Sequence, residues 1–394
     1  MSKVSGWLGR TSWCWPAIAS LLFAVPVALF TKIGGEDLLA LWSGTTTWLQ
    51  GGNPYSAEDL QIAQRAVGWS REEVQIFLNP PWGLGLLAPL GVMGFDVARC
   101  FVIFLSALCF LVIPGLVQDL FGGTLPRSPR RALLAWLSTP ALHCLLLGQL
   151  SLILTASLLL SLRFSIRQQP WRASALLVPL ALKPQLFLIV GLVLALKQPR
   201  MLFRAFLLAV IVTAAVTAYS PGIFNEWLEQ EFSPLQWQTS TLVTMVRLWL
   251  QGASNVPPTW PVFIVPAIGV ILCCTWMHLT RRTSNTTLHL VSGLLFSLAF
   301  APYAYLYDYT LLMIPHVLFV LGLPNRAAGT ALLLSIAVQL SSILAAAMNT
   351  SLEIFWYVPL AYLFIWCVLY PSIRHALTWE RVGLPDAATP ESRG

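Results

Sequence analysis

The sequence predicts an all-α polytopic integral membrane protein, a bundle of about 10–12 hydrophobic segments with a large first extracytoplasmic loop. Three observations carry that expectation. Hydrophobic residues make up 57% of the 394-residue chain and charged residues only 10%, against roughly 25% charged in soluble domains. The apolar residues fall in runs, several close to the ~20 that a helix needs to cross a bilayer. The 17 Trp and 20 Phe suit interfacial aromatic belts, where an amphipathic ring sits between hydrocarbon and headgroups. The formal charge of +7 then speaks to orientation, because Lys and Arg in short loops are kept on the cytoplasmic side. The expected surroundings are membrane lipids, with no nucleic-acid partner.

The first run, residues 14–31, is nearly long enough to span and lacks a small-residue cleavage site, so a retained helix is expected. Lys3 and Arg10 before it place the N-terminus in the cytoplasm and residues 32–78 outside. This loop is expected to hold two short helices on the membrane. One starts at Glu36-Asp37, after Gly34-Gly35, and runs through Trp48. The second is capped by Ser56-Ala57-Glu58-Asp59, after a turn at Asn53-Pro54-Tyr55. Asn79-Pro80-Pro81-Trp82 then opens a short run to Met93, and Asp96 and Arg99 form a local pair before a long run over 97–120.

Further apolar runs cover 132–147, 150–162, 173–196, 202–219, 261–279, 288–302, 309–323, 327–347 and 354–370. A second large outer loop is expected over 220–260. Arg281-Arg282, Arg326 and Arg374 read as cytoplasmic, which places residues 303–308 and Asn349 outside. Simple alternation between 78 and 173 would put Arg127, Arg130, Arg131, Arg163, Arg167 and Arg172 on the outer face. That conflict predicts one short re-entrant segment there without saying which, and irregular backbone at membrane depth belongs where it lines a protein cavity. One integral domain is expected over 1–381. The Pro-, Ala- and charge-rich 382–394 read as a disordered cytoplasmic tail. The seven cysteines lie in or beside apolar runs without metal-ligand spacing and read as packing residues.

Four polar features put a costly group in or beside an apolar segment: Glu36-Asp37, Gly148-Gln149, Lys183-Pro184, and Asp308 within the stretch APYAYLYDY. Each has a plainer alternative. Glu36 and Asp37 complement a helix dipole, Gln149 bonds between helices, Lys183 snorkels, and Asp308 caps the next helix.

In that order, with a Gly-Asn-Pro-Tyr turn at Gly52 to Tyr55, Pro80-Pro81 with Pro89, and Ala301-Pro302 before Tyr305 and Asp308, these features resemble a known family. It is the bacterial GT-C glycosyltransferases of the polyprenyl-phosphate-mannose-dependent α-1,2-mannosyltransferase type, glycosyltransferase family 87. Two positions differ from the usual pattern: Ser151 stands where many relatives have Asn, and Leu38-Leu39 where many have aromatics. The resemblance implies a GT-C-type helical bundle in the bacterial inner membrane. It implies inverting transfer of a hexosyl, mannosyl-like unit from a polyprenyl-phosphate-linked sugar donor to a lipid or glycan acceptor on the extracytoplasmic face, with no cofactor and no metal. It makes Asp37 the catalytic base and gives Glu36, Tyr55, Gln149, Lys183, Tyr305 and Asp308 to substrate binding.

The chemistry agrees with that assignment. A carboxylate is ionised at neutral pH and at the membrane edge can take the proton of an attacking hydroxyl. A phosphate leaving group needs no general acid, only cations such as Lys183. A single acidic cluster in the first loop gives little basis for a divalent metal site. The alternative class is a transporter or flippase of lipid-linked sugars, since intramembrane Lys and Gln also mark translocation paths. The two large outer loops and the lack of matching halves speak against it.

Overall fold

The computed structural model describes residues 36–121, 133–230, 239–251, 257–281, 286–322, 326–348 and 352–376. The expected first span, the arginines at 127–131 and the tail at 382–394 lie outside the described residues. Those described form sixteen α-helices and no strand. The chain divides into two compact units, Met1–Ile113 with Leu142–Ala156 and Ala209–Glu231, and Pro114–Ala141 with Ser157–Leu208 and Phe232–Gly394.

The first unit is organised on α1 (Glu36–Leu49), which packs against α2 (Ala57–Ala66) and α3 (Pro81–Gly91). The cap expected before α2 is present: Ser56 Oγ accepts the Asp59 N–H at 3.4 Å, with Glu58 and Asp59 in the first turn. Pro81 opens α3, where its missing N–H costs nothing. Hydrogen bonds tie α1 to the chain around α3, from Thr46 Oγ1 to the Gly91 carbonyl at 3.1 Å and from Trp42 Nε1 to the Met93 carbonyl at 2.8 Å. Fully buried Gln64 of α2 closes the loop beneath, exchanging amide bonds of 2.7 and 3.0 Å with the Gln75 backbone. The long α4 (Phe95–Phe121) starts with the expected Asp96–Arg99 pair at 3.3 Å.

Next in the chain come α5 (Thr139–Leu147), α6 (Ser151–Ile166), α7 (Pro170–Ala175), α8 (Pro184–Lys197), α9 (Pro199–Tyr219), α10 (Ile223–Leu228), α11 (Leu242–Gln251) and α12 (Pro261–Thr280). They are followed by α13 (Thr286–Ala299), α14 (Met313–Leu321), α15 (Arg326–Ala347) and α16 (Tyr357–Ala376). In the second unit α13 is the core helix: all of its residues are buried, and it packs against α8, α12 and α16. A helix apolar all round is one with protein on every side. Buried polar side chains join its neighbours. Gln339 of α15 accepts the Thr139 N–H at 2.8 Å and donates to the Tyr362 hydroxyl of α16 at 2.9 Å. His316 of α14 donates Nε2–H to the Leu134 carbonyl at 2.8 Å, leaving Nδ1 to accept from the Tyr362 hydroxyl at 3.3 Å.

Among the described residues five stretches are long and apolar enough to cross a membrane: α4, α9, α12, α15 and Glu353–Ser372. The pair α5 and α6 adds a sixth if it is one span, although it bends by 118° at residues 148–150. This supplies an irregular segment inside the region where alternation failed. Two runs read as continuous are interrupted instead. The run over 173–196 holds α7, a 3₁₀ turn (Val178–Leu182) and α8, and the run over 309–323 begins within a 3₁₀ turn (Leu306–Leu312). Pro184 explains the first break, because proline disfavours helix at the residue before it, and Lys183 has φ −133°.

Gly44 marks the tightest contact of α1. A Cβ there would lie 2.4 Å from the ring of Phe77, which is fully buried. Gly44→Ala is therefore expected to cost about 1–3 kcal/mol by overpacking, read as a lower unfolding temperature of the detergent-solubilised protein. An unchanged transition would mean that the Phe77 ring has room to move.

Candidate active site

The first cluster forms where a helix stops. Gly148 follows α5 with φ +68°, a left-handed conformation that glycine adopts without steric cost. The Gln149 N–H reaches back to the Cys144 carbonyl at 3.0 Å and the Gly148 N–H to the Leu145 carbonyl at 3.4 Å, the paired closure of a Schellman end. Gln149 is thereby turned out of the helix line, and α6 starts two residues later at Ser151. The Gln149 carbonyl accepts from Cys144 Sγ at 3.2 Å and from Ser106 Oγ at 3.4 Å. Its amide Nε2 donates to Asp37 Oδ2. Asp37 is half-buried in the first turn of α1, where the N-terminal dipole favours a negative charge. His143, in α5, lies close enough for its charge to interact with that of Asp37.

The second cluster lies in the second unit and also uses a break. Lys183 ends the 3₁₀ turn before α8, and its Nζ is 2.5 Å from Asp308 Oδ1. The Lys183 side chain is 16% exposed and that of Asp308 only 4%. Asp308 Oδ2 accepts the Tyr305 N–H at 3.0 Å, so the carboxylate caps its own turn and holds the ammonium at once. Lys183 Nζ also lies 4.8 Å from the centre of the Tyr307 ring, within cation–π range, and Tyr307 stacks with Tyr305 at 5.4 Å. A backbone bond from the Ser240 N–H to the Ala304 carbonyl at 2.9 Å anchors this loop, and the Tyr309 hydroxyl donates to the Ser240 carbonyl.

The residues singled out from sequence thus meet as two sets, Asp37 with Gln149 and Lys183 with Asp308 and Tyr305. Tyr55 is bonded elsewhere: its hydroxyl donates to the Asn79 carbonyl at 3.0 Å and its ring packs on Phe77 at 5.8 Å. Burial, then the nearby Glu226 carboxylate, push its phenol far above the ordinary range, so it stays a donor. Glu36 opens α1, and its side chain lies outside the described residues. Tyr307 and His143 stand beside these sets without having been singled out by residue. Tyr307 carried a signal, the alternating tyrosines at 303, 305, 307 and 309, whereas His143 carried none. Among the described residues no group of three or more His, Cys, Asp and Glu is placed to hold a metal ion.

The chain is a multi-pass, all-helical membrane protein whose helix breaks gather groups suited to proton transfer and to binding an anion. Residues 77–302, more than half of the chain, match the model of glycosyltransferase family 87. The protein belongs to that family and is a membrane glycosyltransferase acting on a sugar donor and an acceptor, which removes the flippase alternative. The match includes Gln149 and Lys183 and ends short of Asp37 and Asp308 on either side. No curated protein and no solved structure matches the chain.

The amide of Gln149 donates to Asp37 without competing for its proton, and a second carboxylate there would compete. Gln149→Glu is expected to cut sugar transfer at neutral pH, with recovery as the pH rises, because two adjoining carboxylates retain a shared proton until higher pH. A pH–rate profile that keeps its wild-type shape would separate Gln149 from the proton-transfer step.

Proposed function

We propose that this glycosyltransferase moves a hexosyl, mannosyl-like unit from a polyprenyl-phosphate sugar to a lipid or glycan acceptor, with inversion and without a metal. The reaction belongs to the extracytoplasmic face of a bacterial plasma membrane. The observation that supports this most is the Asp37–Gln149 bond, in which a carboxylate at the first described helix is held from a helix break.

The roles follow from the chemistry. The acceptor hydroxyl attacks the anomeric carbon and passes its proton to Asp37, with Gln149 fixing Oδ2 so that Oδ1 meets the hydroxyl. The bond from the anomeric carbon to the phosphate oxygen breaks on the opposite face, and polyprenyl phosphate leaves with the electron pair. Lys183 offsets the charge of that phosphate, and Asp308 orients Lys183. Tyr305 offers a ring face for the sugar, and Glu36, next to the base in the chain, contacts the acceptor. Tyr55, tied to the Asn79 carbonyl, contacts substrate from the loop between α1 and α3. The phosphate is already a good leaving group, so neither a general acid nor a metal ion is needed to expel it.

Asp37→Asn keeps shape and removes basicity, so transfer from a polyprenyl-phosphate sugar is expected to fall by ~100-fold or more with protein level unchanged. Near-normal turnover would sink the assignment, and loss only in Glu36→Gln would hand the role to its neighbour. Lys183→Met is expected to weaken donor use per folded molecule. Poor folding with normal donor turnover per molecule would make Lys183 structural.

A further inference from the structure

Lys183 has a resident anion, and that bears on how a phosphate reaches it. Its Nζ sits 2.5 Å from Asp308 Oδ1 with the Tyr307 ring 4.8 Å away, so the cation is neutralised before any ligand arrives. Asp308 is held in place independently of Lys183 by the Tyr305 N–H on its other oxygen at 3.0 Å. Lys183 is the more exposed partner, at 16% against 4%, and belongs to an irregular residue between a 3₁₀ turn and α8. The pair therefore has a fixed member, the carboxylate, and one with access to the surface, the ammonium.

We propose that Asp308 is a counter-anion which the donor phosphate displaces from Lys183, so that it sets phosphate affinity and speeds release of the polyprenyl phosphate product. This rests on the assignment of Lys183 to the donor phosphate. A lysine ammonium bound to both anions would hold two negative groups against each other in surroundings of low dielectric, where like charges repel strongly. When the phosphate arrives, Lys183 swings toward it while Asp308 keeps its bond to Tyr305. When the sugar has gone, Asp308 reclaims the ammonium and the product loses its cation. Asp308 is thus a positioning residue, and neutralising it should tighten phosphate binding, the reverse of what loss of a substrate contact would do.

The test uses the full chain in detergent and farnesyl phosphate, a short polyprenyl monophosphate, with farnesol as the uncharged control. Two variants remove the charge and keep an acceptor for the Tyr305 N–H: Asp308→Asn, and Asp308→Gln, whose longer amide also suits that capping position. Both are expected to bind farnesyl phosphate about tenfold more tightly than the wild type, the scale of one hydrogen bond to a charged group. Farnesol binding should stay unchanged. In turnover, the donor KM should fall together with kcat as product release slows. Lys183→Met is expected to lose most of the farnesyl phosphate affinity. Equal or weaker binding by the Asp308 variants, with Lys183→Met still impaired, would overturn the displacement and leave Lys183 as the phosphate ligand. Wild-type affinity in Lys183→Met would remove both.

Discussion

A helix interrupted inside an apolar stretch releases backbone donors and acceptors that lipid cannot satisfy, and the polar chemistry of this protein is concentrated where that constraint is met. At residues 148–150 the chain closes the end of α5 with its own carbonyls, then uses the freed direction to aim an amide at Asp37. At Lys183 the chain changes from a 3₁₀ turn to α8, and the side chain leaves at that corner. A regular helix would have placed either side chain along its surface, one turn from the next. The breaks place them instead where neighbouring elements offer a carboxylate.

The two sets handle charge differently. Asp37 sits in the first turn of α1 and accepts from a neutral donor, the Gln149 amide. Lys183 and Asp308 cancel each other, which an almost buried pair must do, since removing one partner of such a pair costs about 3–5 kcal/mol. Such pairing limits what the charge is available for, and only a ligand of like sign to Asp308 has a reason to break it. The Arg163–Asp119 pair at 2.5 Å shows the contrasting case. It is reinforced by Arg167 at 3.9 Å, two cations on one carboxylate, and it reads as a structural tie.

Much of this was legible in the sequence, because composition and punctuation act locally. The membrane class follows from hydropathy, the cap at Ser56 from its own four residues, and the Asp96–Arg99 pair from helical spacing. Gly148-Gln149 and Lys183-Pro184 stood out as costly groups. What the sequence did not contain was the partner of each, since Gln149 is 112 residues from Asp37 and Lys183 125 from Asp308. Asp308 is only 2% exposed, with one carboxylate oxygen on the Tyr305 N–H and the other on Lys183.

The runs over 288–302 and 202–219 are both apolar, yet α13 is buried on every side while α9 has only 17% of its apolar window buried within the protein. Hydropathy measures dislike of water and is silent on whether protein or lipid takes its place. In α13 the difference is written in small and hydroxylated residues. Ser297 Oγ accepts the Ile189 and Val190 N–H groups of α8 at 2.9 and 3.2 Å, and Ser292 Oγ accepts from Trp276 and Trp366 at 3.1 and 3.0 Å. Hydroxyls that bind neighbouring helices in this way have no use on a lipid-facing surface. By holding α8 from behind, Ser297 also fixes the helix whose first residue follows Lys183. The placement of that cation is therefore a property of the core, set by an apolar helix that contributes no charge of its own.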